Sequence, residues 1–210
     1  MTSIAHSERT QLCALAQRVG PDAPTLCEGW TARDLVVHLL LREGHPSSLA
    51  IVVSPLTPLL DRATERLARR DFDDLVTTLR HGPPRYSPFA LPKLGELLNL
   101  LEFFVHHEDV RRAQPDWVPR ELPTTTQDAI WRAVSRAGRG LLAKSEVGVV
   151  AERSDTGESV TWNTEQSPVV VRGLPTELAL YAFGRRGRAV VAKEGEPEAI
   201  ALLDETPTPV

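Results

Sequence analysis

Cysteine and aromatic residues are both scarce in this chain of 210 residues. Its two cysteines are Cys13 and Cys27, too few for the disulfide framework of a small secreted domain or for a cysteine-rich zinc module. Aromatic residues make up 5% of the chain, which leaves few rings for stacking on nucleic-acid bases. We therefore expect reduced thiols, a cytoplasmic location and no nucleic-acid partner.

The chain also has little excess charge and no long apolar run. Its 24 Lys and Arg face 28 Asp and Glu, for a formal net charge of −4, whereas nucleic-acid binding normally needs a concentrated basic face. The most apolar run, residues 97–105, is interrupted by Asn99 and Glu102 and is far shorter than the ~20 residues of a bilayer span. The N-terminus lacks the basic and apolar regions of a signal peptide. We therefore expect no membrane association.

The order of the periodic segments predicts an α+β protein of two domains. Helical spacing occurs at residues 4–19, 31–45, 59–79 with a kink, 94–112 and 124–144. Strand-like segments follow at residues 147–152, 159–164, 169–171 and 189–192, with helices starting at Pro175 and Pro197. We therefore predict a helical domain over residues 1–145 and a small α+β domain over residues 146–205.

Two helix starts carry the pattern of a capping box, in which a hydroxyl and an acidic or amide side chain satisfy each other's backbone N–H groups. Thr31 and Asp34 form the first pattern, and Thr124 and Gln127 form the second. Both pairs predict the point at which a helix begins.

Polar side chains border the apolar stripe of the helix predicted over residues 94–112. That stripe, called the leucine stripe, consists of Leu94, Leu97, Leu98, Leu101, Phe104 and Val105. Glu102 and His106 are four residues apart, and Asp109 lies close to the same direction on a helical wheel. His107 points about 100° away from His106. A carboxylate and an imidazole beside a buried stripe form either a simple hydrogen-bonded pair or part of a metal site; the spacing leaves both open.

The second predicted helix, over residues 31–45, supplies a candidate partner for Glu102 and His106. Its polar stripe consists of Asp34, His38, Arg42 and His45, and this stripe faces either water or a polar pocket. In a pocket, His38 could join Glu102 and His106, and two imidazoles with one carboxylate suit a divalent transition metal, most simply Zn²⁺.

Three stretches of the chain resemble a known family. Residues 26–39, Leu-Cys-Glu-Gly-Trp-Thr-Ala-Arg-Asp-Leu-Val-Val-His-Leu, are similar to the N-terminal signature of the DinB-like metalloproteins, and Glu102-Phe-Phe-Val-His106 is similar to their later Glu-x-x-x-His motif. Residues 173–185 resemble the C-terminal domain of the mycothiol-dependent maleylpyruvate isomerase branch, which is actinobacterial. The resemblance implies a DinB-like four-helix bundle followed by a small α+β domain, with His38, Glu102 and His106 as zinc ligands.

The resemblance also implies a chemistry. It suggests a zinc-dependent enzyme that uses mycothiol as a metal-bound nucleophile, either an S-transferase or a cis–trans isomerase, acting on an electrophilic small molecule as a monomer or homodimer. The alternative is a non-catalytic divalent-metal-binding protein of the same fold, because residues 106–112 look like a sub-branch of metal-binding proteins of unassigned activity. Candidate roles are a base or an orienting group for Asp109 and His107, and a substrate-carboxylate contact for Arg42.

Overall fold

The computed structural model describes residues 3–44, 57–90 and 92–207, and it confirms the predicted α+β class. Two compact units divide at residue 118. The first contains the helices α1 (Ile4–Val19), α2 (Ala32–Gly44), α3 (Thr57–Ala68), α4 (Phe72–His81) and α5 (Pro92–Arg112), with a 3₁₀ turn at Pro88–Ala90. Within the described ranges, no helix has the length and apolar character needed to cross a bilayer.

The core of the first unit forms where α1 packs against α4 and α5, and α2 against α3 and α4. Its fully buried side chains recur at helical spacing, as in Leu35 and Leu39 of α2 and Leu75 and Leu79 of α4. Burying a leucine of this kind contributes roughly 1.5–3 kcal/mol. This packing fixes the helices on which the polar side chains of the unit stand.

Buried charges accompany this core. Arg9 on α1 pairs with both carboxylate oxygens of Glu43 on α2, and its guanidinium lies 4.2 Å from the centre of the Phe103 ring. Glu8, the neighbour of Arg9, contacts His107 of α5 at 2.8 Å. Charged groups inside a protein need partners of this kind, because an unpaired charge loses its hydration without compensation.

The start of α2 confirms the first capping box. The backbone N–H and the hydroxyl of Thr31 both donate to the Asp34 carboxylate, and the Asp34 N–H donates to the Thr31 hydroxyl. These bonds satisfy N–H groups that have no partner in the first helical turn. They set the register of α2 and therefore the direction of His38, one turn further along.

The second unit combines three helices with a four-stranded sheet among its described residues. The helices are α6 (Thr124–Leu141), α7 (Pro175–Ala182) and α8 (Pro197–Glu205), and the strands are β1 (Val149–Arg153), β2 (Ser159–Asn163), β3 (Val169–Gly173) and β4 (Ala192–Glu194). The strand order is β2-β1-β3-β4, with β1 and β3 parallel and the two outer pairs antiparallel. Helix α6 packs against α7 and β2.

Three details of the second unit differ from the sequence prediction. The boundary at residue 118 assigns α6 to the sheet unit, whereas the sequence placed a boundary near residue 145. The second capping box is wrong: α6 begins at Thr124 with Pro123 as its N-cap and no side-chain cap, so Thr124 already lies inside the helix. Gln127 instead accepts a hydrogen bond from the backbone N–H of Thr176. The last strand begins at Ala192 instead of Ala189.

Two glycines of α6 give a matched test of this packing. A Cβ at Gly138 would overlap the ring of Trp162, whereas a Cβ at Gly140 would meet nothing within 4 Å. We expect Gly138→Ala to destabilise the protein by about 2 kcal/mol through overpacking. Gly140→Ala should instead stabilise it by up to about 1 kcal/mol through helix propensity. Urea denaturation measures both, and equal effects would contradict the packing of α6 on β2.

Candidate metal centre

The side chains of three residues converge where α2 faces α5. His38 Nε2 lies 3.3 Å from Glu102 Oε1, and His106 Nε2 lies 3.4 Å from the same oxygen. The two imidazole rings meet nearly edge to face, with centres 5.3 Å apart. One ligand atom from each residue lies within 4.8 Å of the others. The structure thus brings together the three residues predicted as ligands, which we call the Glu102 set.

Asp109 contacts the His106 ring on its Nδ1 side, away from the Glu102 set. His106 Nδ1 donates to Asp109 Oδ2 at 2.9 Å, and the side chain of Asp109 is fully buried. The same oxygen accepts a hydrogen bond from the Cys27 thiol at 3.3 Å. Because Asp109 occupies the Nδ1 side of the ring, the Nε2 side faces the Glu102 set. This is the usual arrangement of a carboxylate behind a metal-ligating histidine.

Arg42 enters the site from the turn of α2 that follows His38. Its Nε lies 3.2 Å from Glu102 Oε1, and its Nη1 donates to Asn99 Oδ1 at 2.8 Å. The guanidinium also lies over the Phe89 ring, 4.3 Å from the ring centre. His38 and Arg42 of the α2 stripe therefore face polar side chains of α5, and Arg42 contacts Glu102 there; its predicted contact with a substrate carboxylate stays a prediction. His45 lies outside the described residues.

The charges of the site perturb its titration. Burial raises the pKa of Glu102, but hydrogen bonds from His106 and His38 and the charge of Arg42 hold that pKa well below its usual range. Burial lowers the pKa of His106, but hydrogen bonds to Asp109, Cys27 and Glu102 raise it well above the usual value. Both shifts favour the charged forms, a carboxylate on Glu102 and an imidazolium on His106, so a metal ion bound through Nε2 would displace one proton from that ring.

A glycine turn brings the loop before α2 to this site. The Trp30 N–H donates to the Cys27 carbonyl across a four-residue turn, in which Gly29 has φ +75°, a value that L side chains rarely adopt. The turn places the Trp30 ring 5.0 Å from that of His38 and Cys27 against Asp109. The Gly-Trp-Thr pattern is visible in the sequence, whereas the contact of the Cys27 thiol with Asp109 is visible only in the structure.

His107 does not join this group. Its ring contacts Glu8 at 2.8 Å, and both side chains are buried. The sequence placed it about 100° away from His106, and the structure agrees with that direction. The missed signal was Glu8, which lies four residues before Leu12 on the buried stripe of α1. Asp109 is thus the candidate orienting group that reaches the Glu102 set, and the predicted role of His107 there has no contact to support it.

The buried thiol of Cys13 gives a prediction for the pH dependence of stability. Burial raises the pKa of the Cys13 thiol to about 11. Folding therefore favours the protonated thiol. The contribution of this thiol to the free energy of unfolding is fully present below pH 9 and is lost as the pH rises through about 11. The loss is at most about 2.7 kcal/mol, since one pKa unit corresponds to about 1.36 kcal/mol. Cys13→Ala should remove this part of the pH dependence in urea denaturation, and an unchanged alkaline profile would contradict it.

Comparison with solved structures identifies a shared fold. The crystal structure of the mycothiol-dependent maleylpyruvate isomerase superimposes with a TM-score of 0.63 at 16% sequence identity, covering 93% of this chain and 97% of that one. A histidine-to-alanine mutant of the same enzyme gives a TM-score of 0.61 at 16% identity with the same coverage. No family model matches this sequence, and no curated protein matches it.

Proposed function

We propose that this chain is a divalent-metal-dependent enzyme in which a low-molecular-weight thiol acts as nucleophile. The observation that carries the proposal is the convergence of His38 Nε2, His106 Nε2 and Glu102 Oε1 on one point between α2 and α5. We further propose that the metal is zinc, that the thiol is mycothiol, and that the reaction is an S-transfer or a cis–trans isomerisation.

The donor set supports a catalytic zinc ion. Two imidazole nitrogens and one carboxylate oxygen match zinc ligation, and three protein ligands leave a fourth position for an exogenous group. Asp109 holds the proton on His106 Nδ1, so that Nε2 is left with its lone pair directed at the set. Arg42 and Asn99 hold Glu102 on its other side through a short chain of polar contacts.

An external thiol suits this site because one thiol of the chain is buried in the core and the other is engaged in a hydrogen bond. Cys13 is fully buried, and Cys27 donates to Asp109. A divalent cation bound by the Glu102 set would lower the pKa of a coordinated thiol and make the thiolate the nucleophile. The similarity in fold to a mycothiol-dependent enzyme supports mycothiol as that thiol.

The partial exposure of the site supports access for small molecules. The side chain of His38 is 28% exposed, whereas that of His106 is 12% exposed. The site therefore opens at the His38 side, where Trp30 lies against the imidazole ring. In the proposed reaction, Trp30 limits the water that reaches the thiol and Arg42 balances the charge of Glu102.

Metal content and turnover together test the proposal. Three proteins are compared: the full chain, His38→Ala and the control His81→Ala. Mass spectrometry measures their zinc content, the formation of mycothiol adducts of monochlorobimane and the mycothiol-dependent isomerisation of maleylpyruvate. His81 is an exposed histidine at the end of α4. We expect thiol-dependent turnover in the wild type and control, lost with a chelator and restored by zinc, and none in His38→Ala.

Two results would contradict the proposal in different ways. If His38→Ala keeps as much zinc as the control, the ligand assignment is wrong. If zinc is bound in the wild type and lost in His38→Ala, but no thiol gives turnover, the alternative of a non-catalytic metal-binding protein is supported instead.

A further inference from the structure

A second group of ligand atoms lies on the opposite side of the His106 ring. Cys27, His106 and Asp109 each offer one ligand atom within 4.8 Å of the others, through Sγ, Nδ1 and a carboxylate oxygen. We propose that these residues, the Cys27 set, form a second site for a thiophilic transition-metal ion. The proposal concerns binding alone and does not depend on the proposed enzymatic function.

The distances suit a tetrahedral ion after small movements. With metal–ligand bonds of about 2.0–2.3 Å, tetrahedral geometry separates sulfur from oxygen by about 3.6 Å and nitrogen from oxygen by about 3.4 Å. The thiol of Cys27 and Oδ2 of Asp109 are 3.3 Å apart, and His106 Nδ1 and that oxygen are 2.9 Å apart. Each pair needs to open by a few tenths of an ångström.

The donor types select the class of ion. A thiolate is a soft ligand that favours zinc, copper(I) or cadmium, whereas magnesium and calcium prefer oxygen ligands. Asp109 is fully buried and His106 nearly so, and Cys27 is half-buried. The thiol side thus provides the route of entry, and the carboxylate lies on the enclosed side, where little water competes with a bound cation.

The backbone holds the three ligands in place before any ion binds. Asp109 and His106 lie one turn apart on α5, which fixes their separation. The Leu26 N–H donates to the Asp109 carbonyl at 3.1 Å, and the Cys27 N–H donates to the Thr25 hydroxyl at 3.2 Å. The loop is therefore tied directly to α5 beside the thiol, so binding requires little rearrangement.

Binding exchanges protons for the ion. The Cys27 thiol proton and the proton on His106 Nδ1 are both released to water as the sulfur and nitrogen become ligands. The Cys27 set uses Nδ1 of His106 and the Glu102 set uses Nε2. One ring could therefore serve both sets; with ions in both it would bridge them as an imidazolate, and the proton on Nε2 would be released to water as well. The number of metal ions bound per chain therefore distinguishes a second ion at the Cys27 set from a site in which Asp109 only accepts a hydrogen bond from His106.

Cobalt(II) titration of the metal-free full chain tests the second site. We expect thiolate-to-cobalt charge-transfer absorption in the near-ultraviolet and two ions per chain at saturation. Cys27→Ser should lose this absorption and bind one ion, whereas Cys13→Ala, which changes the buried thiol, should keep the absorption. Asp109→Asn should raise the cobalt dissociation constant of the charge-transfer signal at least tenfold, and circular dichroism verifies that each variant is folded.

Each remaining outcome bears on one proposal separately. Persistence of the charge-transfer absorption in His38→Ala supports a Cys27 set that works without the Glu102 set, even if the enzymatic proposal fails. Absence of the absorption in the wild type at saturating cobalt overturns the second site. Its persistence in Cys27→Ser, or an unchanged stoichiometry in that folded variant, overturns it as well.

Discussion

Replacing Glu102 by glutamine is expected to lower the zinc affinity of the Glu102 set by more than about 100-fold. Loss of an outer hydrogen-bond partner already costs 10–100-fold in metal affinity, and Glu102 is proposed as a direct ligand. Glutamine keeps the shape of the side chain but not its charge. Moreover, Arg42 would stay beside the set without the carboxylate that now balances its charge, so it would repel a cation.

Competition with a chromophoric chelator measures this change. Both variants should carry Cys27→Ser, so that the Cys27 set does not contribute. The control is Glu65→Gln, which changes an exposed glutamate on α3 that pairs only with Arg69 in the described contacts. An affinity of Glu102→Gln within about threefold of the control would show that the carboxylate is not a ligand.

Replacing Arg9 by leucine is expected to destabilise the protein by about 3–5 kcal/mol, the usual cost of leaving one member of a buried ion pair alone. The side chains of Arg9 and Glu43 are 6% and 3% exposed, so water cannot solvate the remaining carboxylate. The change also removes the hydrogen bond from Arg9 to the Leu79 carbonyl at 3.0 Å and the contact with the Phe103 ring.

A double variant separates the charge from the packing. Arg9→Leu with Glu43→Leu removes both charges, and we expect it to recover at least half of the lost stability, since apolar replacements of buried pairs are often nearly neutral. Urea denaturation of the wild type, both single variants and the double variant gives the coupling energy. A double variant no more stable than Arg9→Leu would mean that packing, and not the unpaired carboxylate, causes the loss.

Local patterns predicted the fold well where one short segment carries the whole signal. The predicted helix over residues 4–19 is confirmed at both ends, and the Thr31 capping box is confirmed because its bonds lie within four residues. The second capping box failed because α6 begins one residue earlier than the pattern requires, with Pro123 as its N-cap, and Gln127 bonds the backbone of Thr176, far away in sequence. A local pattern contains no information about such a distant partner.

The same limit applies to the site. A helical wheel predicted that Glu102 and His106 share one side of α5. The polar stripe of the second helix offered His38, and the family resemblance implied all three as ligands. The wheel gave a direction for Arg42 but no partner, because Asn99 and Glu102 reach it from another helix. The residues of the candidate site could therefore be predicted, whereas their contacts and the nearby thiol required the three-dimensional structure.

The charged partners of α5 contribute, together with its apolar packing, to its rotation about its own axis. Glu8 on α1 contacts His107. Arg42 on α2 contacts Glu102, and on a helical wheel these two residues of α5 point about 140° apart. Turning α5 by one residue would separate both pairs at once and leave charges inside the protein without partners, at several kcal/mol each. Apolar side chains can be repacked in more than one way, so charge pairing adds to the core packing in giving α5 a single rotational setting and in directing its ligand atoms.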